Sequence, residues 1–259
     1  MIGVALKHAL PFALAVGVVA IGILRPAAGH AAELELLSSV ALKAPLTELL
    51  PAFEKASGTT VHATFDSAGA VKHRIESGDA FCVGILFTSA VDSLVKTGAM
   101  TDASRLAHIG IGLAYRKQDA RPAAATLEDF KATLLAAKSI AVSDPALGGV
   151  SSAYYKTTID QLGLALQLAA KTILTRPGEG AKPVAAGQAD LGIVTMSEIA
   201  TLPGLDAVPL FPADPKTQAA FSVGLSSACK EPEVAKRFIA SLRTPQAAAI
   251  FKAKNIDPD

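Results

Sequence analysis

The feature that most constrains this chain is a rhythm. From Glu33 onward, short apolar runs of strand length alternate with stretches whose apolar residues recur at helical spacing, the mark of an α/β fold. Leu34–Ser39 reads as a strand running into a loop. Pro45–Lys55 puts Leu46, Leu49, Leu50 and Phe53 on one helical face and stops at Gly58. Val61–Phe65 alternates as a strand, and Ala70–Ser77 follows as a helix with Val71 and Ile75 inward. Phe81–Phe87 is continuously apolar, as a strand buried on both faces must be. Thr88 is placed to cap a helix that turns Val91, Leu94 and Val95 inward and ends at Gly98.

The second half repeats the pattern. Ile109–Tyr115, Ser139–Ser143, Ala189–Thr195 and Phe221–Ser227 read as strands, and Leu127–Ala137 and Ser151–Leu162 as helices. Pro203, Pro209, Pro212 and Pro215 mark an extended connection, which should bring Phe221–Asp259 back to the first part of the fold. Two closing helices turn Val234, Phe238 and Leu242, then Ala248 and Phe251, toward the core.

The first residues read as an address rather than as part of this pattern. Lys7 and His8 precede the apolar run Ala9–Leu24, and small residues follow up to Ala32, the order of a cleavable secretory signal over residues 1–32. The run of about 16 residues falls short of the ~20 that a membrane span needs. Cleavage near Ala31 or Ala32 removes Lys7 and Arg25 and leaves 22 basic against 23 acidic residues, a charge of −1. The expected location is periplasmic. A mature chain so nearly neutral has no basic excess to attract nucleic acid, and 51% hydrophobic residues with 18% charged exclude a disordered one.

Catalytic and metal-binding signatures are sparse. His62, His73 and His108 are isolated along the mature chain, and His73 with Glu76 is a single pair without further ligands, so neither a metal nor a cofactor is expected. Gly149–Ala153 lacks the second glycine of a nucleophile elbow, and the Gly-x-Gly pairs at Gly110 and Gly178 lack the dinucleotide fingerprint. Cys82 and Cys229 read as small buried hydrophobes, or as a disulfide if export and geometry allow.

Small hydroxyl residues instead gather where strands give way to helices: Ser38 and Ser39, Ser67 beside Ala68, Ser151 and Ser152, and Thr195 with Ser197. Such junctions present free backbone N–H groups at a helix N-terminus, where the dipole favours an anion. In an α/β sheet they share the edge at which ligands bind. Helix capping alone uses the same residues. The candidate anion site is therefore Ser38, Ser39, Ser67, Ser151 and Thr195, with the amides of Ala68 and Ser152.

In order along the chain, Leu36–Gly58 (LLSSVALKAPLTELLPAFEKASG), Thr64–Phe81 (TFDSAGAVKHRIESGDAF), Ser139–Tyr155 (SIAVSDPALGGVSSAYY), Ala185–Ile199 (AAGQADLGIVTMSEI) and Thr244–Ile256 (TPQAAAIFKAKNI) resemble the landmarks of periplasmic molybdate-binding proteins, type II solute-binding components of ABC importers. The resemblance implies a two-lobed α/β fold, each lobe a central mixed sheet flanked by helices. The lobes would be residues 33–112 with 214–259, and residues 113–213. It implies a monomer that is not an enzyme, holds a small oxyanion of the molybdate or tungstate type between the lobes, and delivers it to a membrane permease. It places the family's ligand serines at Ala41 and Ala68, its tyrosine at Thr195 and a frequent Asp at Cys82. The alternatives are another small organic anion as ligand, or a secreted hydrolase using Ser151 or Ser152.

Overall fold

The computed structural model describes residues 1–3, 32–211 and 214–259. The signal-peptide reading falls almost wholly outside them, as does Pro212. The described elements are, in chain order, β1 (Glu33–Ser39), α1 (Lys43–Ser57), β2 (Thr60–Asp66), α2 (Ala68–Glu76), β3 (Val83–Phe87), α3 (Thr88–Lys96), β4 (Met100–Arg116), α4 (Leu127–Ala136), β5 (Ile140–Ser143), α5 (Val150–Gln161), α6 (Ala165–Ala169), β6 (Thr172–Thr175), α7 (Lys182–Ala185), β7 (Leu191–Thr195), β8 (Leu205–Pro209), β9 (Gln218–Ser226), α8 (Pro232–Ser241), α9 (Pro245–Ala253) and β10 (Asp257–Pro258). Short 3-10 turns lie at Val40–Leu42, Pro145–Leu147, Met196–Thr201 and Pro215–Thr217.

The strands run in the order β2-β1-β3-β9-β4-β7-β5-β6, with β10 and β8 also paired to β4. β4 holds the two halves together. Its stretch from Met100 to Gly110 pairs with β9, and its stretch from Ile111 to Arg116 pairs with β7 and β8. Within each half the outer strands are parallel, β2-β1-β3 on one side and β7-β5-β6 on the other, whereas β9 and β4 are antiparallel to their neighbours. Each half is thus a mixed sheet with helices on its faces.

Side-chain alternation builds the cores. Leu34 and Leu36 of β1 point to one face, with Ile85, Phe221, Val223, Phe238 and Phe251, while Leu37 points to the other, with Val71, Leu86 and Val91. In the second half Ile140 and Val142 join Phe130 and Ile193 on one face, and Ala141 joins Val184 and Val194 on the other. The chain after β8 returns to the first sheet, where β9 enters between β3 and β4 and α8 and α9 contribute Phe238 and Phe251 to its core. Cys82 and Cys229 form a disulfide that ties the start of β3 to the turn after β9.

Several local expectations need correction. The strand expected at Ile109–Tyr115 is the second part of a 17-residue strand. The first part, Thr101–Arg105, is exposed, and register shifts between Thr101 and Ser104 and between Arg105 and Ala107 erase its alternation. The connection Pro203–Pro215 contains a strand, β8, because an edge position on β4 tolerates its terminal proline. Thr88 does not cap α3. The cap position is Phe87, and the Thr88 hydroxyl bonds the Ser222 hydroxyl at 2.9 Å. Val95 lies on the solvent side, and in α9 it is Ala247, not Ala248, that is buried beside Phe251.

Candidate ligand-binding site

Two helices aim their N-termini at one place from opposite halves of the fold. α2 starts after β2 with Ser67 as its cap, and the Ser67 hydroxyl oxygen accepts from the Ala70 N–H at 3.1 Å. α5 starts after the Asp144–Gly149 turn with Gly149 at its cap position and no side-chain cap. A Cβ on Gly69 would sit 3.4 Å from the Gly148 Cα, so the backbones of these two helix starts abut. Between them lies a small cavity of about 20 Å3. That is little more than the ~10–15 Å3 one water molecule requires.

The cavity wall gathers Ser39, Ser67, Ala68, Ser151 and Thr195 from the sequence-derived set. Ser38 and Ser152 are not on it. Ser38 is fully buried on β1 and donates to the Ser39 carbonyl at 3.2 Å; the Ser152 hydroxyl donates to the Gly149 carbonyl at 3.1 Å. Ala41, the position matched to a family serine, lines the wall with a methyl group. Val40, Ser143, Gly149, Val150, Pro177, Gly178, Phe87 and Glu198 complete the wall without having been anticipated. Two of them were foreshadowed. Ser143 ends a strand as the other junction serines do, and Thr195-x-x-Glu198 is a capping-box pattern.

The hydrogen-bond pattern divides the hydroxyls by role. In Ser39 and Ser67 the oxygen accepts from a backbone amide, Ala41 at 3.4 Å and Ala70 at 3.1 Å, so each O–H proton remains available to the cavity. Ser151 is 3% exposed and on the wall, and its hydroxyl makes no hydrogen bond among the described residues. Thr195 differs: its N–H and hydroxyl both donate to Glu198 Oε1, at 3.1 and 3.2 Å. The capping reading therefore holds for Ser67, does not apply to Ser151, and for Ser67 does not compete with donation to a ligand.

Glu198 is the unexpected member. Its Oε2 accepts from the Gly180 N–H at 3.1 Å, and burial pushes its carboxyl up from 4.5 to about 7, against hydrogen bonds from Thr195, Gly180 and Ala181 that favour the carboxylate. Among the described residues no lysine, arginine or histidine is on the cavity wall. Outside it, past Val40, Ala41, Pro177 and Gly178, lies a cleft of about 770 Å3 that carries Lys43, Arg176 and Lys182. Among the described residues no group of three or more His, Cys, Asp and Glu is placed to hold a metal ion, and no helix is long and apolar enough to cross a membrane.

The boundary between cavity and cleft is tight. A Cβ on Gly178, whose φ is +77°, would lie 2.8 Å from Val40 Cγ2. Nearby the Ser197 hydroxyl donates to the Ala41 carbonyl at 2.9 Å. Contacts between the two halves thus narrow the cavity at Gly69 with Gly148 and at Val40 with Gly178.

Comparison with known proteins gives this geometry a context. A model of the bacterial extracellular solute-binding protein family matches residues 34–254. The chain is 30% identical over 232 residues to aconitate isomerase from a Pseudomonas species, covering 87% of each chain. It is 27% identical over 234 residues to the molybdate-binding protein ModA of Escherichia coli K12, covering 85% of this chain and 87% of that one. The periplasmic molybdate-binding protein of Azotobacter vinelandii superimposes with a TM-score of 0.70 at 22% identity, covering 86% of this chain and 98% of the other.

Proposed function

The chain belongs to the bacterial extracellular solute-binding proteins and has their two-lobed type II fold, and on that premise we propose that it is the exported, monomeric binding component of an ABC importer that takes an oxyanion between its lobes. The observation that carries this reading is the small cavity with donor hydroxyls at Ser39, Ser67 and Ser151, two helix N-termini and, among the described residues, no cationic side chain. Such a wall neutralises an anion with dipoles and avoids the desolvation cost of a buried counter-ion. The lobe boundaries are those drawn from the sequence, residues 33–112 with 214–259 and residues 113–213. The lobes part to admit the ligand, re-close at Gly69–Gly148 and Val40–Gly178, and present the closed form to the permease.

Tetrahedral oxyanions of the molybdate and tungstate type are the reference ligands for this cavity. A thermal-shift series with molybdate, tungstate, sulfate and phosphate tests it, because a ligand at 100 times its Kd adds about 2.7 kcal/mol of stability. No shift with any oxyanion, inorganic or organic, would remove the reading.

A small organic anion is the second reading. The relative named aconitate isomerase and the cations of the outer cleft favour it. A hydrolase role for Ser151 or Ser152 finds no support in the wall, which offers neither hydroxyl a histidine. Incubation with aconitate isomers followed by proton NMR separates binding from turnover: a binding protein shifts the melting temperature and leaves the isomer ratio unchanged.

A further inference from the structure

The cleft outside the oxyanion cavity differs from the cavity in both size and charge. The cavity holds one small group, whereas about 770 Å3 is ample for an organic skeleton. The two share Val40, Ala41, Pro177, Gly178 and Glu198, so a molecule reaching out of the cavity enters the cleft directly. Cations from both lobes line it, Lys43 from the first turn of α1, and Arg176 and Lys182 from the segment after β6.

Three acids, Asp66, Glu179 and Glu198, line the same cleft, but they are not paired evenly with the three cations. Lys182 pairs with Glu179 at 2.6 Å, and the Asp66 carboxylate accepts from the Ser67 N–H. Lys43 lies 6.0 Å over the Phe65 ring, and neither Lys43 nor Arg176 has an acidic side chain within 4 Å among the described residues. Lys43 and Arg176 are thus two cations without a close acidic partner that face one cleft from opposite lobes, available to an anion.

Resting on the reading of the cavity as an oxyanion site, we infer that this cleft is a second anion subsite formed by Lys43 and Arg176. The ligand is then a small organic anion whose oxyanion head lies in the cavity and whose carboxylate lies against these two cations. The inner site supplies dipoles and shape, and the outer one supplies charge. Lobe closure brings Lys43 and Arg176 to the same carboxylate, so a two-headed ligand stabilises the closed form more than a single-headed one.

The test is isothermal titration of the mature chain with two ligand pairs, phosphate against phosphoglycolate and acetate against trans-aconitate. It is repeated on the double variant Lys43→Ala/Arg176→Ala. Both positions are exposed, so folding should survive, and a melting curve checks it. In at least one pair the two-headed member should bind about fivefold or more tightly, since each exposed ion pair is worth a few-fold at most. The double variant should lose that advantage and retain the single-headed affinity. Raising the salt should shrink the advantage in the parent protein.

Equal affinity within both pairs, with single-headed binding intact, overturns the subsite and leaves the oxyanion cavity standing. A double variant that weakens both members of a pair equally also overturns it, since that is general attraction rather than a subsite. If no member of either pair binds, nor molybdate, the cavity reading falls and the subsite with it.

Discussion

Glu198 offers the most demanding test of the site's electrostatics. The residue is half-buried, and the packing around its carboxyl raises it from 4.5 to about 7. Below about pH 4.5 the group is protonated in both folded and unfolded chains and adds no pH dependence. As the pH rises from there to about 7, the unfolded chain gives up this proton first, so the folded state loses stability. Above about 7 the loss is complete, and the shift corresponds to about 3 kcal/mol.

Glu198→Gln removes the titration. Urea denaturation at about pH 5 and about pH 8 should therefore show the parent losing about 2.5 kcal/mol more than the variant between the two conditions. The variant will differ from the parent even at about pH 5, because an amide NH2 meets N–H donors that now face a carboxylate oxygen. Only the difference in slope bears on the argument. Lys43, Asp66, Arg176, Glu179 and Lys182, which share the cleft with Glu198, are present in both proteins and cancel. Parallel pH profiles within about 0.5 kcal/mol would refute it. They would mean that the Thr195 and Gly180 donors hold Glu198 as an ordinary carboxylate, despite its burial.

Other consequences are accessible to simpler measurements. Ser151→Ala should weaken oxyanion binding about tenfold by titration while leaving the melting temperature nearly unchanged, because its hydroxyl has no partner among the described residues to lose. Ser67→Ala should weaken binding and also lower the melting temperature, since it removes the cap of α2 at a cost of about 1 kcal/mol. Gly178→Ala should weaken ligand binding more than either, because the new methyl meets Val40 across the lobes at a positive φ; an unchanged affinity would show that closure does not use this contact. Reduction of Cys82–Cys229, which spans 147 residues, should cost about 2–5 kcal/mol of stability without moving the affinity, as read by melting curves and titration with and without reductant.

The sequence by itself determined the class of fold and the outline of the site. Period-2 alternation in Val61–Phe65, the unbroken apolar run Phe81–Phe87, and glycine stops such as Gly58 at φ +67°, are local signals that the chain carries wherever it folds. The junction serines follow from the same logic, since a strand that ends at a helix start needs a residue of their kind. Other features depend on partners distant in sequence, and these only the tertiary structure decided. The polar first part of β4 is a strand because β9 lies beside it, and its own residues show no alternation. Ser38 and Ser39 are neighbours of like chemistry, yet the pleat of β1 aims only Ser39 at the cavity. The two cysteines were compatible with burial or bonding until β3 and the turn after β9 came together. Glu198 reads as a helix-capping acid, and it becomes a buried acid on a cavity wall only when Gly180 and the opposite lobe close around it. Spacing along the chain reports what a residue can do within its own turn or strand, whereas burial, charge environment and enclosure are set by atoms that tertiary packing brings close.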